Sequence, residues 1–385
     1  MDERALNSGL LPQGLRDGLP PQAGHSDAVV RRLQDQFRSN GYDLVAPPLV
    51  EFEDALRGRL DAGQGDSDDA FRLLDPASQN PLVVRSDITR QVARIATTRM
   101  ADEPRPLRLA YTGSALRTRG TQLQPSRQVR QVGLELIGSN AIAAVQELAE
   151  VISSTFDAFG LPDLTFDLAT PGLIPALCRD LKVSSADAQS LKAALDDKDA
   201  AALAGLPDHV AEPMTAILMA IGPADKAVQS VNALALDGEA GALWRDAEET
   251  VKAFSAAVGA DRVHLDPGEI HGFTYQAGWA LSVFADGIRG ELGRGGAYML
   301  QGLSQKEPAL GFTFYPDVFA AYVPHIEGGK RILVPHATAH SAITALQADG
   351  FITVRALETA ADISAQAQQN RCTYVFIDGA AKAIG

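Results

Sequence analysis

The sequence predicts an α+β protein with an inserted helical subdomain and a small C-terminal α/β unit, and three stretches carry that prediction. Two β-type runs, Leu107 to Leu116 (LRLAYTGSAL) and Gln128 to Ile137 (QVRQVGLELI), are joined by a polar connection and read as a long antiparallel hairpin. Ser184 to Val263 is alanine-rich helical sequence with turn signals at Gly205-Leu206-Pro207, Gly222-Pro223 and Asp237-Gly238. From Arg331 the chain alternates β-type ILVP, a helix over Ala339 to Ala348, β-type FITV, a helix over Thr359 to Gln369 and β-type TYVFID. That order predicts a partly parallel sheet.

The remaining elements follow in order. Val29, Val30, Leu33 and Phe37 fall at helical spacing within Asp27 to Ser39, with charges opposite and Asn40-Gly41 as the stop. Tyr42 to Val50 is apolar and strand-like, but Pro47-Pro48 confines its middle to an edge or bulge because proline donates no ladder hydrogen bond. Asp61 to Asp69 (DAGQGDSDD) reads as a loop. Pro81 to Arg85 is a short β-type run, and Ile88 to Met100 has helical periodicity with Asp87 available as its N-cap. Within the second hairpin run, alternation fails around Gly133, which predicts a bulge. Ala141 to Phe159 reads as a helix, Phe273 to Phe284 as a strand, Gly293 to Gly296 as a glycine-rich turn where backbone approaches a ligand or another strand, and Leu310 to Phe314 as a strand.

At 385 residues and 46% hydrophobic content, the chain has the material for two or three domains. It contains no apolar run of about 18 residues, and Met1 to Leu15 lacks the basic and apolar blocks of a secretory signal, so a cytoplasmic location is expected. Cys178 and Cys372 are the only cysteines, too few for a disulfide framework or a cysteine zinc site, and both read as small buried hydrophobes. His336 and His340 have the i, i+4 spacing of a metal pair without an acid between them, so packing in the α/β unit is expected there. GRGGAY lacks the strand and helix that frame a dinucleotide fingerprint, and no cofactor or metal is expected. A formal charge of −14 argues against a large nucleic-acid footprint, which needs a concentrated Lys/Arg surface.

The hairpin carries a family resemblance. RLAYTGSALRTRGTQLQPSRQVRQVGLELIG, from Arg108, resembles motif 2 of histidyl-tRNA synthetases, with the spacing from Arg117 through Gln131 to Glu135 matched without a gap. GYDLVAPPLVEFEDAL, from Gly41, resembles motif 1, the dimer-forming helix and strand of class II synthetases. VRSDITRQVAR, from Val84, resembles the substrate strand, and GEIHGFTYQAG, from Gly268, stands where the histidine-specific loop belongs. GRGGAYMLQGL and ALGFTF, from Gly293 and Ala309, resemble the approach to motif 3. These blocks cover most of residues 10–320 in the family's order. The resemblance implies a class II aminoacyl-tRNA synthetase-like antiparallel sheet of about six strands flanked by helices. Its core would comprise residues 1–183 and 264–322, with a helical insertion at 184–263 and a small α/β domain at 330–385 that is a reduced anticodon-binding unit.

Adenylate formation needs fixed cations on the triphosphate, because the transition state spreads negative charge over the equatorial oxygens. By the resemblance, the motif 2 arginine is Arg117, but the histidine-loop arginine aligns with His271 and the motif 3 arginine with Val318, while the acid that follows the motif 2 arginine is Arg119. One phosphate clamp of three implies that no catalytic residue set remains. The amino-acid pocket is less altered: Asp87, Gln131 and Glu135, with Thr89 alongside, match the groups that receive the α-ammonium of histidine. Tyr275 matches an aromatic position of the imidazole loop, where its neighbour is Gln276, and Arg117 and His271 stand on the carboxylate or phosphate side. The plain alternatives are a surface salt bridge for Arg117 and solvated carboxylates for Asp87 and Glu135.

A degenerate core with the opening PQGLRDGLPPQA and Asp rather than Glu in the VRSDITRQVAR strand is most similar to the regulatory subunits that pair with short-form ATP phosphoribosyltransferase. That likeness implies a hetero-oligomer with the short-form catalytic subunit, its activation, and feedback inhibition by free histidine in the first step of histidine biosynthesis. It also implies a homodimer through the synthetase-like core, with no tRNA or membrane partner. The competing reading is a divergent amino-acid-activating ligase of the histidyl-tRNA synthetase type, against which His271, Val318 and Arg119 speak. A regulator that binds uncharged tRNA is opposed by the acidic charge and by the short C-terminal unit, which lacks a final basic helix.

Overall fold

The long hairpin is the spine of a nine-stranded sheet in the computed structural model, which describes residues 10–57, 59–60, 70–120, 125–269, 276–302, 306–324, 329–358 and 362–384. Helix α1 (Gln22–Ser39) leads into β1 (Asp43–Leu44), then β2 (Val50–Phe52) and the short α2 (Glu53–Leu56), then β3 (Arg72–Leu74) and β4 (Pro81–Val84). Helix α3 (Thr89–Thr98) precedes the hairpin strands β5 (Leu107–Leu116) and β6 (Gln128–Ile137); α4 (Ile142–Phe159), β7 (Leu164–Ala169) and α5 (Leu173–Asp180) follow. Next come α6 (Ser185–Asp196), α7 (Ala200–Leu203), α8 (Asp208–Met219), β8 (Gly222–Pro223), α9 (Ala224–Asn232) and α10 (Gly238–Val258). Strands β9 (Val263–Asp266), β10 (Gln276–Ala285), β11 (Gly293–Gln301) and β12 (Lys306–Phe314) then run to the single turn α11 (Pro316–Phe319).

The main sheet has the order β1-β5-β6-β12-β11-β10-β7-β9-β8. Its six central strands, β5 to β7 in that order, pair antiparallel throughout, while β1 and β9 join the two ends in parallel. A mixed sheet with an antiparallel centre flanked by helices is the class II architecture. The prolines at 47 and 48 separate β1, on this sheet, from β2, which joins β4 and β3 in a small sheet of order β2-β4-β3.

Helices α1 and α4 bury Val29, Val30, Leu33 and Phe37 on one side and Leu148, Ile152, Phe156 and Phe159 on the other, against the back of the sheet. There Phe37, Phe156 and Phe312 surround Phe314, with ring centroids 5.4, 4.8 and 4.8 Å from it. Fully burying such a side chain stabilises by about 1.5–3 kcal/mol, so this cluster is a large part of what holds the helices to the sheet.

Two local expectations are corrected here. The hairpin has no bulge: ten consecutive pairs run from Leu107↔Ile137 to Leu116↔Gln128. Gly133 breaks the apolar alternation because a side chain there would overlap the ring and hydroxyl of Tyr111, its cross-strand partner. Gly293 to Gly296 is not a turn but the start of β11. A Cβ on Gly293 would lie 2.6 Å from the Phe312 ring, and one on Gly295 would overlap the backbone of β12, so the glycines serve close strand approach. The acidic stretch 61–69 lies outside the described residues.

By contacts the chain divides into Met1–Pro324 and His325–Gly385. The second unit contains β13 (Lys330–Val334), α12 (His340–Ala348), β14 (Phe351–Arg355), α13 (Ile363–Gln369), β15 (Tyr374–Ile377) and β16 (Ala380–Ala383). Its sheet runs β14-β13-β15-β16, parallel except for the last pair. Ile332 and Val334 pack with Ile343 and Leu346, whereas Leu333 packs with Ala367, Cys372 and Val375, so β13 is buried on both faces, as its unbroken apolar run requires. Cys372 is buried and Cys178 half-buried. His336 lies in a turn and His340 begins α12, both exposed rather than packed.

Gly133→Ala is expected to destabilise the protein by about 1–3 kcal/mol through overpacking against Tyr111, read as a lower thermal midpoint. An unchanged midpoint would show that the Tyr111 ring is not held over Gly133.

Candidate functional site

The register of the sheet decides what meets on its front face. Glu135 pairs with Gly311, Gly311 with Gly296, Gly296 with Ala280, and Ala280 with Ala169. Beyond Glu135 that row is built of residues with little or no side chain, and this makes a hollow. Two residues along, the row Tyr111, Gly133, Thr313, Arg294, Ser282 and Asp167 faces the same way. The Tyr111 hydroxyl crosses the bare Gly133 to reach Thr313 Oγ1 at 2.6 Å, and meets Thr89 Oγ1 at 3.2 Å.

Glu135 is 1% exposed, and its carboxylate occupies the space that a side chain on Gly311 would take. Tyr298 donates to its Oε2 at 2.6 Å, and the Thr89 hydroxyl also bonds to it. Burial pushes its pKa up to about 8, with the charge of Asp87 adding to the rise and the Tyr298 and Thr89 bonds opposing it. At pH 7 the ligand-free acid is therefore mostly protonated. Glu135, Thr89, Tyr298, Gly311, Thr313 and Arg294 line a small cleft of about 10 Å3.

Gln131, four residues before Glu135 on β6, holds a second acid, Asp87, and the start of α3. Its Nε2 donates to Asp87 Oδ1 at 3.0 Å, and its Oε1 accepts from the Ile88 amide at 3.0 Å. Asp87 thus bonds within the cluster, and the N-cap position of α3 is Ile88, with no side-chain cap. A second buried network fixes the helix. Glu51 receives Gln91 Nε2 at 2.8 Å and Arg94 Nη2 at 2.8 Å, and Gln91 Nε2 also donates to Pro48 O at 2.7 Å. Arg85 donates to Ser114 O at 2.8 Å and Pro47 O at 3.1 Å, in space left by Gly113. These bonds tie α3 to β2 and β5, and so set where Asp87 and Thr89 stand.

Arg117 follows β5, half-buried, its amide bonded to Arg127 O at 2.8 Å. Buried Tyr315, whose phenol is pushed up to about 12 chiefly by burial, feels Arg294, Glu291, Arg117 and Asp87 in that order, which places these four charges around one hydroxyl. Asp87, Thr89, Gln131 and Glu135 are thus brought together, with Arg117 nearby. His271 and Tyr275 lie outside the described residues, as does the Gln276 side chain. Val318 sits half-buried in α11, and Arg119 is exposed beyond the end of β5. Among the described residues no group of three or more His, Cys, Asp or Glu side chains is disposed to hold a metal ion, and no helix is long and apolar enough to cross a membrane.

Sequence reasoning did not single out Tyr111, Tyr298, Thr313 or Arg294. Strand alternation through β11 would have placed Arg294, Gly296 and Tyr298 on one face, but reading the segment as a turn hid that pattern.

The raised pKa of Glu135 has a consequence for stability. Between about 4.5 and about 8 the native state binds a proton that the unfolded chain has lost, so this contribution is complete below 4.5 and disappears as pH rises through 8. Chemical denaturation of the ligand-free protein is expected to show stability falling by a few kcal/mol over that range, and Glu135→Gln to flatten the slope. A slope unchanged by the substitution would assign the titration elsewhere.

The family model for histidyl-tRNA synthetase matches residues 14–318. Among solved structures, an ATP phosphoribosyltransferase regulatory subunit/histidyl-tRNA synthetase from Bacillus halodurans superposes with a TM-score of 0.77 at 21% identity, over 94% of this chain and 96% of that one. Histidyl-tRNA synthetase from Nostoc sp. PCC 7120 gives 0.77 at 15% identity, over 96% and 91%. These likenesses establish the fold. Sequence similarity goes further: the ATP phosphoribosyltransferase regulatory subunit of Rhodospirillum centenum is 43% identical over 371 residues, 96% of this chain and 95% of the relative. That of Gluconobacter oxydans is 35% identical over 378 residues, 98% of each. With identity at this level across nearly the whole length, on a histidyl-tRNA synthetase fold, the chain belongs to the family of ATP phosphoribosyltransferase regulatory subunits of histidine biosynthesis.

Proposed function

We propose that this protein is a non-catalytic subunit that binds the short-form ATP phosphoribosyltransferase catalytic subunit, activates it, and carries feedback inhibition by histidine bound in the cleft around Glu135. The observation that carries the reading is the uneven composition of that cleft. Its acid, hydroxyl and amide groups, Asp87, Thr89, Gln131 and Glu135, gather where the start of α3 meets β6. The positions that would clamp a triphosphate hold Val318 and Arg119 instead of a cation and a metal-binding acid. Such a site can receive an ammonium or imidazole but is poorly equipped to stabilise a phosphoryl transition state. An amino-acid-activating ligase would need the missing charges.

The proposed ligand set is Asp87, Thr89, Arg117, Gln131, Glu135, His271 and Tyr275. Leu44, Leu49 and Phe52, exposed along the first strands, supply the apolar surface for a homodimer through the synthetase-like core. A location in the cytoplasm and the absence of a tRNA partner belong to the same reading. Inhibition follows if histidine and the phosphoribosyl substrates favour different arrangements of the complex, with a coupling of about 1–3 kcal/mol.

The deciding experiment is phosphoribosyl transfer by the short catalytic subunit, with and without this protein, across a histidine titration. Activation that histidine reverses is expected; absence of a complex or of any effect would overturn the reading. Calorimetry gives a further check. A ligand cation beside Glu135 displaces its proton, so binding at pH 7 should release close to one proton per histidine, read from buffers of different ionisation enthalpy, and affinity should rise toward pH 8. Glu135→Gln should abolish the proton release and weaken binding about ten- to a hundred-fold. Unaltered affinity would move the histidine site elsewhere.

A further inference from the structure

We infer that the front face of the sheet carries a second small-molecule site, beside the helical insertion and apart from Glu135, that takes an organic ammonium with an apolar body. A cavity of about 420 Å3 opens there, within the roughly 300–1,000 Å3 of ligand pockets. Strand register builds its floor: Asp167 on β7 lies opposite Ser282 of β10 on one side and His264 of β9 on the other, and Asp266 follows two residues along β9. The insertion supplies a wall through Ile221 and Gly222, which is held there because Gly222 pairs with Leu265. Arg294 lies opposite Ser282 and lines both this cavity and the small cleft at Glu135, so it marks the border between the two.

The lining names the charge of the ligand. It carries three carboxylates, Asp167, Asp266 and Glu269, and one guanidinium, Arg294, whose Nε already donates to a fourth carboxylate, Glu291, at 3.1 Å. The rim shows what such acids hold: the Lys198 ammonium, from the insertion, meets Asp266 Oδ2 at 2.7 Å and Glu269 Oε2 at 3.4 Å. Asp167 is served less well. Its Oδ1 is sealed from solvent with no hydrogen-bond donor among the described residues, and His264 Nδ1 stands 3.7 Å away. The side chain as a whole is 44% exposed, so its open part lies on the Oδ2 side. Burial raises the Asp167 pKa, His264 opposes the rise and the charge of Asp266 adds to it, so a ligand cation relieves a carboxylate that the fold compensates poorly. Among the described residues no three His, Cys, Asp or Glu side chains are disposed to hold a metal ion, which favours an organic cation. The rest of the lining asks for an apolar body. Phe284 and Ile221, 36% and 41% exposed, line the cavity from β10 and from the insertion, and Leu168, Ala169 and Leu265 line it as well. Large apolar side chains left open on two walls of one cavity gain by being covered.

The test is calorimetric titration of the full-length protein with 2-phenylethylamine and with 2-phenylethanol, which keeps the ring and chain but carries no charge. The amine is expected to bind one to one, in the micromolar to millimolar range of a fragment that size, and at least about tenfold more tightly than the alcohol. Asp167→Asn, close in shape, should bring the amine down to the affinity of the alcohol. Phe284→Ala, at a partly exposed position, should weaken both probes by a similar factor, and it keeps the test decisive if thermal midpoints show that Asp167→Asn does not fold. No saturable binding of the amine, equal affinities of amine and alcohol, or an amine affinity unaltered by either substitution would overturn the assignment. None of these outcomes depends on whether histidine binds beside Glu135.

Discussion

The carboxylate of Glu135 sits where any side chain on Gly311 would have to be, and much of the front face of the sheet is organised by that one burial. An acid removed from water in the middle of a strand is unfavourable unless it is neutralised or well bonded. Here both occur: Tyr298 and Thr89 bond to it, and its proton affinity rises until the neutral form prevails at pH 7. Thr89 reaches it only because α3 is anchored by Glu51, Gln91, Arg94 and Arg85, whose own buried charges are paired or bonded to carbonyls. Position of the acid and position of the helix are therefore one problem, solved by one set of contacts.

Glycine distribution shows how the two faces of the sheet are kept compatible. On the back, Gly293 and Gly295 lie against Phe312, and the ring clusters there with Phe156 and Phe314 to bind the helices. On the front, Gly296 and Gly311 open the hollow around Glu135, Gly133 admits the Tyr111 ring, and Gly113 admits the Arg85 guanidinium. Alternate residues of β11 and β12 thus serve packing on one side and cavity formation on the other. A methyl group on either side would act on both, because the strands are only about 4.8 Å apart.

This division of labour explains what could be read from the sequence. The hairpin, the helices at 22–39 and 142–159 and the alternating elements after residue 330 rest on local periodicity, which is visible without knowing any partner. Gln131 and Glu135 were picked out by the spacing of one family motif and Asp87 by a second block of the resemblance, and the fold brings the three to one place. Gly133 and Gly293 to Gly296 were misread, as bulge and turn, because a glycine's local preferences say nothing about which ring or strand lies across from it. Arg294 disappeared with the turn, since its place beside the cleft depends on strand alternation and on the distant strand that carries Glu135. Asp87 looked like a helix cap by sequence position alone, whereas Gln131, 44 residues away, is its hydrogen-bond partner.

A site arranged in this way is suited to sensing. Catalysis of adenylate formation requires charges matched to a transition state, and the proposed reading is that those positions are altered. Sensing requires that the empty and occupied states differ in free energy through groups the ligand contacts. Glu135 fits that requirement, because an uncharged buried acid becomes a charged, paired one when a cation arrives. The change falls on Thr89 at the start of α3, the helix whose Gln91 donates to Glu51 and to Pro48 O, while Arg85 donates to Pro47 O, beside the exposed apolar strands that the proposed dimer would cover. Ligand charge in the cleft and the placement of that outer segment are therefore linked through α3, which carries both Thr89 and Gln91, so that an event in the pocket can shift the balance between arrangements of a larger assembly.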